Sequence, residues 1–248
     1  MSGSAPKAVV TGGTRGLGLA LSRRLVKLGH DVVAFYRGDE EAARAAEREV
    51  GDRLRTVRAD VSRPAEVRAA VEDVLRQNGP PAVVVNNAGV NIDRPFLELS
   101  DEEWQGVIAT NLSGAFYVVR GFAPAMLANG GGVVVNVGAT TGIRPRVNGA
   151  NYCTSKAGLL HLTKCLALEL APQIRVNSLV PGLTETAELA ERFGLADPER
   201  RSAVLAEIPL RRIASVDDIA DAFEFLIGQQ SAYLTGQKLI TDGGQFMW

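Results

Sequence analysis

Lys7-Ala-Val-Val-Thr-Gly-Gly-Thr-Arg-Gly-Leu-Gly18 is a short β-rich run that breaks into glycines, and leucines then recur at helical spacing through Leu21, Leu25 and Leu28 up to Gly29. A second apolar run, Asp31 to Tyr36, follows. Strand, glycine turn, helix and strand form the unit that lays a pyrophosphate on a helix N-terminus. Gly12, Gly16 and Gly18 let the backbone approach phosphates where a Cβ would clash, with Thr14, Arg15 and Leu17 completing the turn. No Gly-Lys-Ser/Thr follows, which argues against a nucleoside triphosphate loop.

The end of the second strand carries the next piece of information. A dinucleotide site that reads a free ribose 2′-hydroxyl usually places Asp or Glu there. Here the residues are Phe35, Tyr36 and Arg37, with no carboxylate until Asp39. Arg15 and Arg37 flank the expected ribose, and guanidinium groups suit a 2′-phosphate bidentately. The expectation is NADPH rather than NADH.

The rhythm repeats. Helices are expected over Glu40–Val50, Pro64–Gln77, Asp101–Ala128 (capped by Ser100 with Glu103) and Val216–Ile227, and strands over Arg53–Ala59, Ala82–Val85, Val133–Val137, Ile174–Val180 and Lys238–Thr241. Alternating helices and near-continuously apolar strands mean an α/β fold: one Rossmann-like, doubly wound parallel sheet of about seven strands with helices on both faces, spanning residues 1–248 as a single domain. Ligands in such sheets bind at the strands' carboxyl ends. Gly12–Gly18, Asp60-Val61, Asn86-Asn87-Ala88-Gly89, Gly138–Tyr152 and Pro181–Thr186 all fall there.

The chemistry concentrates after the fifth strand. Tyr152 and Lys156 open a long apolar helix running to Leu170, four residues apart and so one above the other on one face. A phenol near its reference pKa of about 10 is a poor acid-base catalyst at neutral pH, and a neighbouring cation favours the phenolate. His161 on the same helix reads as packing. Cys153 and Cys165 lie about 18 Å apart along it, too far to pair, which fits a reducing, cytoplasmic setting.

With 248 residues and a formal charge of −1, the chain has no electrostatic footprint for nucleic acid or an acidic membrane surface. No apolar run reaches the roughly 18 residues of a membrane span, Met1 to Pro6 is too short and polar for a signal peptide, and no metal-ligating set is expected. Leu183–Leu210 breaks the rhythm, polar and charged with helical patches around Leu189 and Val204, and reads as a lid over the site.

In the order and spacing of these motifs the chain resembles the short-chain dehydrogenase/reductase family, and within it the 3-oxoacyl-carrier-protein reductase group. The resemblance covers about Lys7 to Gly244. It rests on Thr11-Gly-x-x-x-Gly-x-Gly18, Asn86-Asn-Ala-Gly89, Asn111, Tyr152-x-x-x-Lys156, Asn177, Pro181-Gly182, Thr186 and Tyr233-Leu-Thr-Gly-Gln237 leading to Asp242-Gly243-Gly244. It implies hydride exchange between a nicotinamide ring and a carbonyl carbon, with NADPH selected through Arg15 and Arg37. Tyr152 would donate the proton. Lys156 would lower the Tyr152 pKa and hold the nicotinamide ribose, and Asn111 would hold a water linking Lys156 to solvent. Asp60 and Val61 would contact the adenine, Asn87, Ala88 and Gly89 the adenosine side, and Pro181, Gly182, Thr184 and Thr186 the nicotinamide amide and pyrophosphate. The substrate would be a small molecule, carrier-protein- or CoA-linked in the 3-oxoacyl case or otherwise a polyketide-like ketone. Assembly would be a homodimer or homotetramer through the two long helices, where Trp104, Phe116 and Tyr117 fit core or subunit contact.

One position departs from the family pattern. The Ser expected thirteen residues before the Tyr is Ala139, and a methyl cannot donate a hydrogen bond to a carbonyl. Losing one such donor costs about 10²–10³ in kcat. Three readings stay open: Thr140 or Thr141 substitutes as donor; the substrate is an imine, enone or otherwise self-activated group; or the chain is a non-redox cyclase or accessory subunit. The terminal Phe246-Met247-Trp248 is expected to dock on a neighbouring subunit or to close the site.

Overall fold

The computed structural model describes residues 5–247; Met1–Ser4 and Trp248 lie outside the described residues, and with them part of the expected readings of both termini. Seven strands form one sheet: β1 (Lys7–Thr11), β2 (Asp31–Tyr36), β3 (Leu54–Arg58), β4 (Val83–Asn86), β5 (Gly132–Val137), β6 (Ile174–Pro181) and β7 (Lys238–Thr241). Every neighbouring pair is parallel, in the order β3-β2-β1-β4-β5-β6-β7. The chain winds outward from β1 to β3, then returns to start β4 on the other side of β1. The strand order therefore reverses between β1 and β4, and a crevice opens there at the carboxyl ends.

Alternate strand residues supply two separate cores, as a pleated sheet buried on both faces requires. On one face Val9, Phe35, Val84, Val134 and Val176 pack with α3 (Pro64–Gln77), α5 (Gly114–Ala128) and α6 (Ala150–Leu170), Phe122 of α5 being fully buried. On the other, Val10, Val32, Val85 and Val135 meet Leu21 and Leu25 of α1 (Gly16–Lys27), Ala46 of α2 (Glu40–Val50) and Phe223 of α9 (Val216–Ile227).

The expected helix Asp101–Ala128 is not uniform. It divides into α4 (Asp101–Ile108) and α5, joined by a wider π-helical turn, Ala109–Ser113, that contains Asn111. Such turns concentrate at functional positions because they redirect one residue without ending the helix. Ser100 and Glu103 form the anticipated capping box at its start. The irregular stretch 183–210 folds as α7 (Ala187–Phe193) and α8 (Pro198–Ala206), around a third small core of Leu195, Ile208 and Ile213. Among the described residues no helix is long and apolar enough to cross a membrane.

Candidate active site

The glycine turn after β1 is shaped by contact. Gly12 holds φ +64° and Gly16 φ +51°, and a Cβ on Gly18 would stand 2.0 Å from the Gly12 carbonyl oxygen. Beneath the turn the buried Ser22 hydroxyl donates toward the Gly13 and Gly18 carbonyls, 3.0 Å from each. Thr11 fastens this turn to the next crossover, its Oγ1 accepting the Asn87 and Ala88 amides at 3.0 Å. The Asn87 side chain donates back to the carbonyls of Thr11 at 3.0 Å and Gly12 at 3.1 Å. Backbone amides at the start of α1 are thereby aimed into a cleft of about 680 Å³.

That cleft is lined by Gly12, Thr14, Arg15, Gly16, Leu17, Gly18, Arg37, Asp60, Val61, Asn87, Ala88, Gly89, Tyr152, Lys156, Pro181, Gly182, Thr184 and Thr186. All of the residues expected to bind a dinucleotide thus surround one crevice. At its outer end Arg15 and Arg37 are exposed, and Asp39 turns its carboxylate to cap α2, accepting the Ala42 amide at 3.0 Å. Asp60 Oδ1 is engaged by the Ser62 amide and hydroxyl at 2.9 and 2.7 Å. The glycine cradle and the amide-lined helix start fit the pyrophosphate of a dinucleotide in charge and shape, and the two exposed guanidiniums stand at the outer end of the same cleft.

At the other end stands the wall built by β5 and α6. Lys156 is 4% exposed and donates to the Val137 carbonyl at 2.7 Å. Burial pulls its ammonium from the usual 10.5 down to about 8. Lys156 Nζ lies 5.7 Å from the centre of the Tyr152 ring, the pairing anticipated from their spacing. Asn111 is buried behind this wall. Its amide donates to the Val90 carbonyl at 2.9 Å and to Ser155 Oγ at 3.0 Å, while Oδ1 accepts the Val90 amide at 2.8 Å. A side chain on Gly89 would fall 3.4 Å from Asn111 Oδ1 and 3.7 Å from Lys156 Nζ, so the bare glycine leaves a gap between these two polar atoms.

Ala139 lines the cleft; Thr140 does not. The chain winds into a single 3-10 turn at Thr140–Gly142, which carries Thr140 inward to 9% exposure and buries Thr141 Oγ1 with no hydrogen-bond partner among the described residues. In this conformation Ala139, rather than Thr140 or Thr141, stands on the cleft wall. His161 is exposed rather than packed, because its side of α6 faces away from the sheet. Phe246 lies with the Arg144 guanidinium 5.4 Å from its ring centre, and Met247 is exposed.

Sequence reasoning passed over Asn91, Leu189 and Arg192, which line the cleft at the same end as Tyr152. Asn91 carried a usable signal, following the Asn-Asn-Ala-Gly run at a strand's carboxyl end. Arg192 had none, since its place depends on how the 183–210 segment folds back. It meets Asp93 at 2.6 Å, and Asp93 also pairs with Arg146. Burial alone would raise the Asp93 carboxyl, but Arg146, Asn91 and Arg192 outweigh it and hold it below the usual carboxylate range. Asn177, wholly buried, straps down the Tyr233–Gln237 loop by donating to the Leu234 carbonyl at 2.8 Å and accepting the Gln237 amide at 3.0 Å.

Comparison with known proteins gives a consistent result. A family model described as short chain dehydrogenase matches residues 6–194. Over 245 residues the chain is 41% identical to the 3beta-hydroxysteroid dehydrogenase 1 of Eggerthella lenta, covering 97% of this chain and 93% of that protein. It is 34% identical over 244 residues to the 3-oxoacyl-acyl-carrier-protein reductase FabG of Staphylococcus aureus, covering 97% of this chain and 98% of the relative. A gluconate 5-dehydrogenase from Burkholderia cenocepacia, solved with NADP and tartrate, superposes with a TM-score of 0.89 at 32% identity, covering 97% of this chain and 94% of that one.

Proposed function

The chain belongs to the short-chain dehydrogenase family, and we propose that it reduces a carbonyl to an alcohol with NADPH, Tyr152 supplying the proton. The observation that carries this reading is the buried Lys156 beside Tyr152 in the cleft that also holds the glycine turn. When bound, the nicotinamide group supplies the hydride. Gly12–Gly18 hold its pyrophosphate, Arg15 and Arg37 its ribose phosphate, and Pro181–Thr186 its amide end. The NADP seen in the gluconate 5-dehydrogenase structure supports the cofactor choice.

Tyr152 donates to the oxygen that becomes the alcohol. Lys156, with its pKa lowered to about 8, is still largely protonated at neutral pH, and its charge stabilises the phenolate left behind. Asn111 keeps one Oδ1 lone pair, and a water in the gap over Gly89 would join it to Lys156 as a route for the replacement proton. The substrate is a 3-oxoacyl thioester or a polyketide-like ketone, a choice supported by relatives named for 3-oxoacyl and 3β-hydroxysteroid chemistry. A cytoplasmic homodimer or homotetramer completes the proposal.

The methyl of Ala139 on the cleft wall favours a second reading, in which the chain acts on an imine or enone, or serves as a non-redox cyclase or accessory subunit. NADPH oxidation with a panel of β-ketoacyl thioesters and cyclic ketones, run on the parent and on Ala139→Ser, separates the two. Parental turnover supports ketone reduction. Turnover confined to Ala139→Ser, by about 10² or more, supports the second reading.

A further inference from the structure

We propose that Asp93 is a positioning residue that latches the lid to the loop presenting Tyr152; the kinetic half of its test rests on the reductase reading, the structural half does not. Asp93 lies in the crossover after β4, and its two oxygens serve two different elements. Oδ1 accepts from Arg146 and, at 3.0 Å, from Asn91 Nδ2. Oδ2 accepts from Arg192 of α7 at 2.6 Å. Arg146 belongs to the loop that leads into α6. It also donates to Asn91 Oδ1 at 2.8 Å, and its guanidinium sits 5.9 Å from the centre of the Tyr152 ring. One carboxylate therefore ties the lid helix, the β4 crossover and the loop before Tyr152 at one end of the cleft.

The lid needs such a tie because, among the described residues, its other hydrogen-bonded anchors to the rest of the fold lie near its ends. The Glu185 amide donates to the Ala214 carbonyl at 2.7 Å, Thr184 bridges Ala214, and the Leu210 amide donates to the Gly243 carbonyl at 3.2 Å. Between those ends the lid packs on its own small core of Leu195, Ile208 and Ile213, separate from both sheet cores. Arg192 lines the cleft and reaches across it from the middle of this segment. The three charged side chains are about one-third exposed, at 28, 35 and 32% for Arg146, Asp93 and Arg192. Each arm is consequently weak by itself and sensitive to salt, which suits a tie that must release on every turnover. The charges also rank the variants. Without the carboxylate two guanidiniums face each other, so neutralising Asp93 loosens the lid more than truncating Arg192 does.

Hydrogen exchange of the full chain, without ligand, reads the tie directly. Asp93→Asn is expected to speed exchange across 187–206 by about three- to tenfold, Arg192→Ala by less, and Arg192→Lys hardly at all, since it keeps a point charge. Arg201→Ala removes the Arg201–Glu185 pair inside the lid, 3.2 Å long, and serves as the control that leaves exchange unchanged. On any substrate found in the panel, Asp93→Asn raises KM by a similar factor with kcat within about twofold, because the acid is intact and only the closed population falls. Unchanged exchange in Asp93→Asn overturns the latch, as does equal loosening by Arg201→Ala or a failure of Arg192→Lys to hold the lid. Faster exchange in Asp93→Asn with no turnover by parent or variant leaves the latch standing and overturns the reductase reading instead.

Discussion

The floor of the cleft and the helical segment 183–213 beside it, proposed above as a lid, are built by different physics. The floor rises from the carboxyl ends of the central strands, and three of its buried polar residues are held by contacts inside the fold: Thr11 with the Asn87 and Ala88 amides, Asn111 with Val90 and Ser155, Lys156 with the Val137 carbonyl. A buried polar group left unpaired costs on the order of 1–3 kcal/mol, so each of these contacts has one favoured geometry. Among the described residues the 183–213 segment has a small buried core of Leu195, Ile208 and Ile213, and the Arg192–Asp93 pair that reaches outward from it is partly solvated. Dense burial and a small, partly solvated core thus fall to separate parts of the chain.

That contrast is open to attack at both ends. Phe122→Ala, which empties a fully buried site in the core under α5, should cost about 3–5 kcal/mol of global stability in denaturant unfolding. Ile208→Ala in the lid core, at 2% exposure, should leave the global midpoint nearly unchanged and instead speed hydrogen exchange across 183–213. Equal losses of global stability would mean that lid and floor fold as one unit.

Tyr152→Phe tests whether the floor carries the chemistry. Stopped-flow hydride transfer should slow by about a hundredfold or more, the scale of a lost general acid, while dinucleotide affinity measured by titration stays near parental. Parental rates in this variant would remove Tyr152 from the proton path.

A smaller effect follows from Lys156. Its folded pKa of about 8 lies below the ordinary 10.5, so between those values the unfolded chain holds a proton that the folded chain has released. Stability from this group therefore rises as pH climbs from about 8 toward 10.5 and is absent below that window. Measured without dinucleotide, the stability of the parent relative to Lys156→Met should improve by about 1–2 kcal/mol between pH 8 and 9.5. A flat difference would mean that the ammonium is better solvated than its burial implies.

Most of the floor was legible in advance because it depends on local rules. Glycines at Gly12, Gly16 and Gly18, apolar strands, and a Tyr and Lys four residues apart each carry their meaning within a short window. The π-helical turn around Asn111 was not legible, since one extra residue in a turn leaves no mark in the apolar spacing; the turn packs against α6. Thr140 was expected at the reacting group, and the 3-10 turn carried it inward. That outcome depends on Gly142, which fits only because nothing larger than hydrogen stands there: a Cβ would come within 2.8 Å of the Lys156 carbonyl carbon. Arg192 and Asp93 lie ninety-nine residues apart, and no periodicity links them.

Composition, apolar period and glycine spacing were enough to determine a doubly wound parallel sheet with a dinucleotide-type cleft, because burial and backbone sterics act over a few residues at a time. Which of Ala139, Thr140 and Thr141 faces that cleft, and which cation meets Asp93, were decided only when distant segments packed together. Those contacts depend on angles between elements, and a weak, half-exposed ion pair leaves no periodic trace in the chain that forms it.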